Sequence, residues 1–141
     1  MRMHQRRIVL LADGDPNRAR MMAFRLAALK YEVRHFENGA LALLKAHELK
    51  PDLIIADADL PILDGCRMVD ALRSESGTAQ IPVVLLMESA DQEALVRGWR
   101  SGADLCLPWK NTDGELELAL RRLLGVSPAS HTWTTERALA S

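Results

Sequence analysis

The strongest constraint on the fold is a set of short apolar runs that do not alternate with polar residues. Ile8-Val9-Leu10-Leu11, Leu53-Ile54-Ile55-Ala56 and Val83-Val84-Leu85-Leu86 are continuous, as in strands covered on both faces of a parallel sheet. Tyr31 to Phe36 and Leu105-Cys106-Leu107 supply two more segments of strand length. Between the runs, apolar residues fall at helical spacing. Asp15 before Pro16 pairs a cap residue with a proline at the first helical position, and Met22, Leu26 and Leu29 form the stripe that follows. Asn38 caps a second helix carrying Leu41 and Leu44, which Pro51 ends, and a third carries Met68, Val69 and Leu72. Capping boxes open the last two helices. Ser89 with Gln92 precedes a core stripe of Leu95 and Trp99, and Thr112 with Glu115 precedes Leu116, Leu120 and Leu123.

Five strands alternating with five helices predict an α/β domain, since right-handed crossovers place helices on both faces of a parallel sheet. The expected form is doubly wound, with the flavodoxin-like strand order 2-1-3-4-5. Its site lies beyond the carboxyl ends of strands 1 and 3, where the winding direction reverses. One core suffices for 141 residues, a length that buries roughly 70% of the unfolded surface. The domain is expected over residues 6–124, after an N-terminal extension of residues 1–5. Gly125 and Ser127-Pro128-Ala129-Ser130 read as a helix end and the start of a linker or tail through residue 141.

Charge narrows the partners. Nineteen acids against 18 bases leave no strong field for nucleic acid or anionic lipid. The basic start MRMHQRR is followed by an apolar run, IVLLA, that ends before Asp13, too short for a signal sequence or a membrane span. Cys66 and Cys106 form no CxxC pair, which argues against a zinc site or disulfide framework and for a reduced, cytoplasmic protein. His4, His35, His47 and His131 show no metal-ligand spacing and are assigned surface or rim roles. Arg97, Arg100, Arg121 and Arg122 read as solvated helix surface.

The chemistry gathers at two strand ends. Asp13 follows the first strand and Asp57 ends the third. An aspartate after a strand often does no more than cap a turn. Two of them meeting at the switch point repel one another, and a cation or protons must compensate. Mg²⁺ is the natural candidate, because it prefers a few carboxylate oxygens and would neutralise an arriving phosphoryl group.

At this point a resemblance becomes specific. PDLIIADADLPILDG resembles the third strand and following loop of response-regulator receiver domains of two-component signalling. Asp57 stands in the phosphoacceptor position, Pro61 four residues later, and Asp64-Gly65 closes the loop. LLADGDPNR is similar to the acidic loop after strand 1, YEVRHFENGALALL to the second strand and helix, IPVVLL to the fourth strand and GADLCL to the fifth. The resemblance implies a non-enzymatic phosphorelay module in which Asp57 takes a phosphoryl group from a histidine kinase or phosphotransfer protein. Mg²⁺ would be held by Asp13, Asp57 and the backbone carbonyl of Asp59. An effector or a second copy would dock on the face of the fourth helix, fifth strand and fifth helix.

The departures from the pattern concern the same pocket. Gly14 stands where the family's second acid binds the metal directly, and Asp15 reads as a helix cap. Met87 replaces the Thr or Ser that would donate to the phosphoryl oxygen, and Glu88 a small residue at the entrance. Trp109 replaces the lysine, with Lys110 displaced by one position, and Cys106 replaces the aromatic residue that rotates with the Thr or Ser. These changes point to a degenerate, pseudo-receiver-like member with a weakened Mg²⁺ site, signalling by protein contact. The weighed alternative is a haloacid-dehalogenase-like phosphatase using Asp57 as nucleophile and Asp59 as general acid.

Overall fold

The computed structural model describes residues 6–111 and 114–125. Ten elements alternate without exception: β1 (Ile8–Ala12), α1 (Pro16–Ala28), β2 (Glu32–Phe36), α2 (Gly39–Leu49), β3 (Leu53–Asp57), α3 (Gly65–Arg73), β4 (Val83–Met87), α4 (Gln92–Ser101), β5 (Leu105–Pro108) and α5 (Glu115–Leu124). All strand pairs are parallel, in the order β2-β1-β3-β4-β5 expected from the sequence. The chain divides into two compact units, residues 1–110 and 111–141; α5 belongs to the second and buries Leu116, Ala119 and Leu120. The N-terminal extension, Thr112, His4, His131 and the tail beyond Gly125 lie outside the described residues. Among the described residues no helix is long and apolar enough to cross a membrane.

Continuous apolar strands bury both faces here because side chains alternate sides along each strand. Leu10, Ala12, Ile54, Ala56, Val83, Leu85 and Met87 meet Ala42 and Ala46 of α2, Met68, Val69 and Leu72 of α3, and Ala94 of α4 in one cluster. Val9, Leu11, Leu53, Ile55, Val84 and Leu86 have the opposite parity and are also buried, as are Ala19, Met22 and Leu26 of α1. The β1–β3 register pairs Leu11 with Ile55 and Ala12 with Ala56. One residue further along it, Asp13 comes opposite Asp57, with the parity of Leu11 and Ile55.

Three apolar stripes differ in part from expectation, that of α1 in its last member, Leu29, which is exposed. Leu44 and Trp99 are exposed, while Ala42, Ala46, Ala94 and Gly98 face inward. The reason is close approach: a Cβ on Gly98 would collide with the Cys106 sulfur, so α4 lies directly on β5 and the bulky Trp99 turns outward. The cap of α4 is Asp91, which accepts from the Ala94 N–H, and not Ser89. Gly114, with φ of 95°, occupies the cap position of α5 and offers no side-chain bond. Asp15, Asn38 and Asp64 cap α1, α2 and α3 through their side chains.

Candidate functional site

The loop after β1 builds the pocket. Asp13 is completely buried and Asp57 is 7% exposed, so neither charge can be left to water. The Asp13 N–H donates to the Phe36 carbonyl, and His35 Nε2 donates to the Asp13 carbonyl at 2.7 Å, fixing the loop from β2. His35 is an exposed rim residue, as the sequence reading placed it. Asp15 Oδ1 accepts from the Asn17 and Arg18 N–H groups. That cap starts α1 so that Arg18, in its first turn, reaches back over the strand ends.

Arg18 is the centre of the site. Its Nη2 donates to Asp13 Oδ1 at 2.7 Å and to Asp57 Oδ2 at 2.8 Å, and its Nε donates to Asp13 Oδ2 at 3.0 Å. The guanidinium carbon lies 3.9 Å from the centroid of the Trp109 ring, close enough for a cation–π contact. Trp109 Nε1 donates to Asp57 Oδ1 at 3.1 Å, and the Asp59 N–H donates to the same oxygen at 3.3 Å. The Asp15 N–H reaches Asp13 Oδ1 at 3.0 Å. Every oxygen of both carboxylates therefore accepts at least one hydrogen bond. The hydrogen bond to Asp13 raises the already high pKa of Arg18, against the opposing effect of burial and with help from the Asp57 charge. The cation is permanent.

The loop after β1, the buried carboxylate at the end of β3 and the ten-element order now identify the architecture, and sequence comparison decides the family. The response regulator receiver domain family matches residues 9–121. The chain belongs to that family. It is similar to the DNA-binding response regulator MtrA of Mycolicibacterium smegmatis, 34% identical over 99 residues, 70% of this chain and 42% of that relative. The chain thus spans less than half the length of that protein. A structure from Chloroflexus aurantiacus assigned as a response regulator superposes with a TM-score of 0.82 at 28% identity, covering 86% of this chain and all of that one. The receiver domain of the sensor histidine kinase PA1611 of Pseudomonas aeruginosa shares the fold, with a TM-score of 0.80 at 24% identity over 86% of this chain and 100% of that one; its own active-site cleft holds a magnesium ion.

In this receiver the acids do not fit a divalent cation. Mg²⁺ demands free oxygens in near-octahedral geometry, whereas Asp13 and Asp57 have theirs engaged and the Arg18 nitrogen lies between them. Among the described residues no group of three or more His, Cys, Asp or Glu side chains could hold a metal. A side chain at position 14 would be crowded as well. A Cβ there would stand 3.0 Å from Pro61 Cδ and 3.3 Å from the Glu37 carbonyl oxygen.

The remaining sequence-predicted residues divide by place. Asp59 approaches Asp57 by its backbone N–H while the residue itself is exposed, a poor position for a general acid. Met87 and Cys106 are buried, and Met87 Cε would lie 3.6 Å from a Cβ on Gly98, so both pack beneath α4. Burial pushes the Cys106 thiol up to about 11 and, with the nearby Asp64 charge, also raises that of Cys66. Glu88 is exposed at the rim, its Oε1 3.8 Å from Arg18 Nη1. Lys110 is exposed; it is Trp109 that reaches Asp57, its backbone held by the Met87 carbonyl. A groove of 730 Å³ beside the pocket is lined by residues including Asp59, Asp64, Arg67, Met87, Glu88 and Arg97, but by neither Asp13 nor Asp57.

Sequence reasoning missed Arg18. A signal for it existed: a basic residue in a helix's first turn opposes the macrodipole, and that turn carries no acid. Such a cation needs a carboxylate partner elsewhere, and Asp13 lies just upstream.

Proposed function

We propose that this receiver domain works in two-component or phosphorelay signalling as a contact module, with a degenerate pocket whose Asp57 does not drive a phosphorylation switch. The observation that carries this reading is the engagement of Asp57 itself. For phosphoryl transfer a carboxylate oxygen must attack phosphorus as the bond to the leaving group breaks, and both Asp57 oxygens are already hydrogen-bonded, to Arg18 on one side and to Trp109 and Asp59 on the other. Phosphorylation would turn the singly charged Asp57 into an aspartyl phosphate of about −2, one further negative charge in a pocket whose Asp13, Asp57 and Arg18 already sum to −1. Met87 offers it only a thioether, Lys110 is exposed, and Glu88 adds repulsion at the rim.

The partners of this reading are proteins. A histidine kinase or phosphotransfer protein upstream is compatible with the family, and an effector or second copy would use exposed surface such as α4 around Trp99, which is 57% exposed. A near-neutral chain gives this domain no nucleic-acid surface of its own, and its place is the cytoplasm. The test is incubation with acetyl phosphate and Mg²⁺, read on phosphate-affinity gels against Asp57→Asn. Substoichiometric labelling without a change in oligomeric state is expected. Stoichiometric, Asp57-dependent labelling that alters oligomeric state would reject the reading. Restoring Gly14→Asp, Met87→Thr and Trp109→Lys together is expected to leave labelling low until Arg18 is also removed.

A further inference from the structure

We propose that Arg18 is the resident cation of this pocket, a covalently tethered replacement for a divalent metal, so that the domain holds its strand ends together without one. The inference deepens the reading above and rests on it for the identity of the site. Nη2 stands 2.7 and 2.8 Å from one oxygen of each aspartate, the place from which a single positive charge can neutralise both. Nε completes a bidentate grip on Asp13, and the Trp109 ring covers the guanidinium face. Guanidinium suits this task because its planar fork matches carboxylate geometry and it is weakly hydrated, whereas Mg²⁺ gives up its water reluctantly. Tethering also gives Arg18 a high effective concentration that a free ion must exceed.

Three features of the chain support one another in this role. Gly14 offers no acid that would pull a metal in, and a side chain there would crowd Pro61. Trp109 supplies a π surface and a donor where a lysine would bring a second cation into competition with Arg18. Asp15 caps α1, which sets the first turn and hence the reach of Arg18. Without Arg18, Asp13 and Asp57 would face each other buried and unneutralised, and the pocket would then favour a divalent ion.

The full chain and its Arg18→Met variant should be compared by thermal unfolding in EDTA, MgCl₂ and MnCl₂ at matched ionic strength, with Mn²⁺ binding followed by electron paramagnetic resonance. The wild-type protein is expected to ignore both metals. Arg18→Met is expected to melt lower in EDTA, to recover roughly 3 °C or more in saturating Mn²⁺, and to bind Mn²⁺ at least about tenfold more tightly than wild type. If Arg18→Met does not fold, Arg18→Gln, which keeps a donor for Asp13, is read in the same way. Wild-type protein that binds Mn²⁺ as tightly as the variant overturns the inference, and so does a folded variant that gains no affinity. Labelling of wild-type Asp57 without metal would sink the contact-module reading and leave this one standing; metal binding by wild type without labelling would do the reverse.

Discussion

The two ends of the pocket are built in opposite ways. At the β1–β3 end both buried acids remain, and the compensating charge comes from the chain itself through Arg18. At the β4–β5 end the packing is mainly apolar. Met87 and Cys106 pack under α4, which Gly98 allows to lie close, and Trp109 turns its N–H to Asp57. The comparison teaches that burying charge and filling space impose different demands. Two carboxylates next to one another need a cation or a proton to compensate them, and here Arg18 pairs with both. Apolar packing imposes no such pairing, and Met87 and Cys106 fill their space without one.

Removal of Arg18 should break the comparison most severely. Arg18→Ala leaves the fully buried Asp13 without its ion pair, an arrangement that costs about 3 kcal/mol, the low end for a broken buried pair because Arg18 keeps some exposure. Urea unfolding measures it; a loss under about 1 kcal/mol would mean that the acids are compensated in another way. At the other end, Gly98→Ala forces a methyl group against the Cys106 sulfur and should destabilise by about 1–3 kcal/mol. If Gly98→Ala is neutral, α4 is free to move off β5 and the packed description of that end fails.

Smaller effects sharpen the boundary between the two. Trp109→Phe keeps a ring over Arg18 but loses the N–H donated to Asp57, for about 1.5 kcal/mol, whereas Lys110→Ala, at an exposed position, should stay within about 0.5 kcal/mol. Equal losses at the two positions would show that Lys110 swings into the pocket in solution. Alkylation tests the packed end most gently. With its thiol pKa near 11, Cys106 keeps its proton at pH 8 and should react with iodoacetamide more slowly than the half-buried Cys66. The same raised pKa predicts stability that is lost as pH rises from about 9 toward 11, because the unfolded thiol ionises first. A Cys106→Ala variant should lack that loss.

Most of the fold could be read from residues in order. Unbroken apolar runs such as Leu53-Ile54-Ile55-Ala56 require cover on both faces, and alternation with capped helices then leaves the doubly wound parallel sheet as the form that supplies it. Asp13 and Asp57 were legible for the same reason, because strand ends at the switch point converge whatever the side chains around them. The stripes through Leu44 and Trp99 were misread, since helical spacing identifies a face but not which neighbour lies close enough to demand Ala or Gly there. Where the charge of Arg18 goes was decided by tertiary structure. A flexible side chain can point anywhere that its stem allows, and only the joint position of the α1 turn, the two buried acids and the Trp109 ring fixes where its charge goes. Sequence determined that two acids would meet and need a cation or protons to compensate them; the packed chain determined that a cation of its own, Arg18, pairs with both.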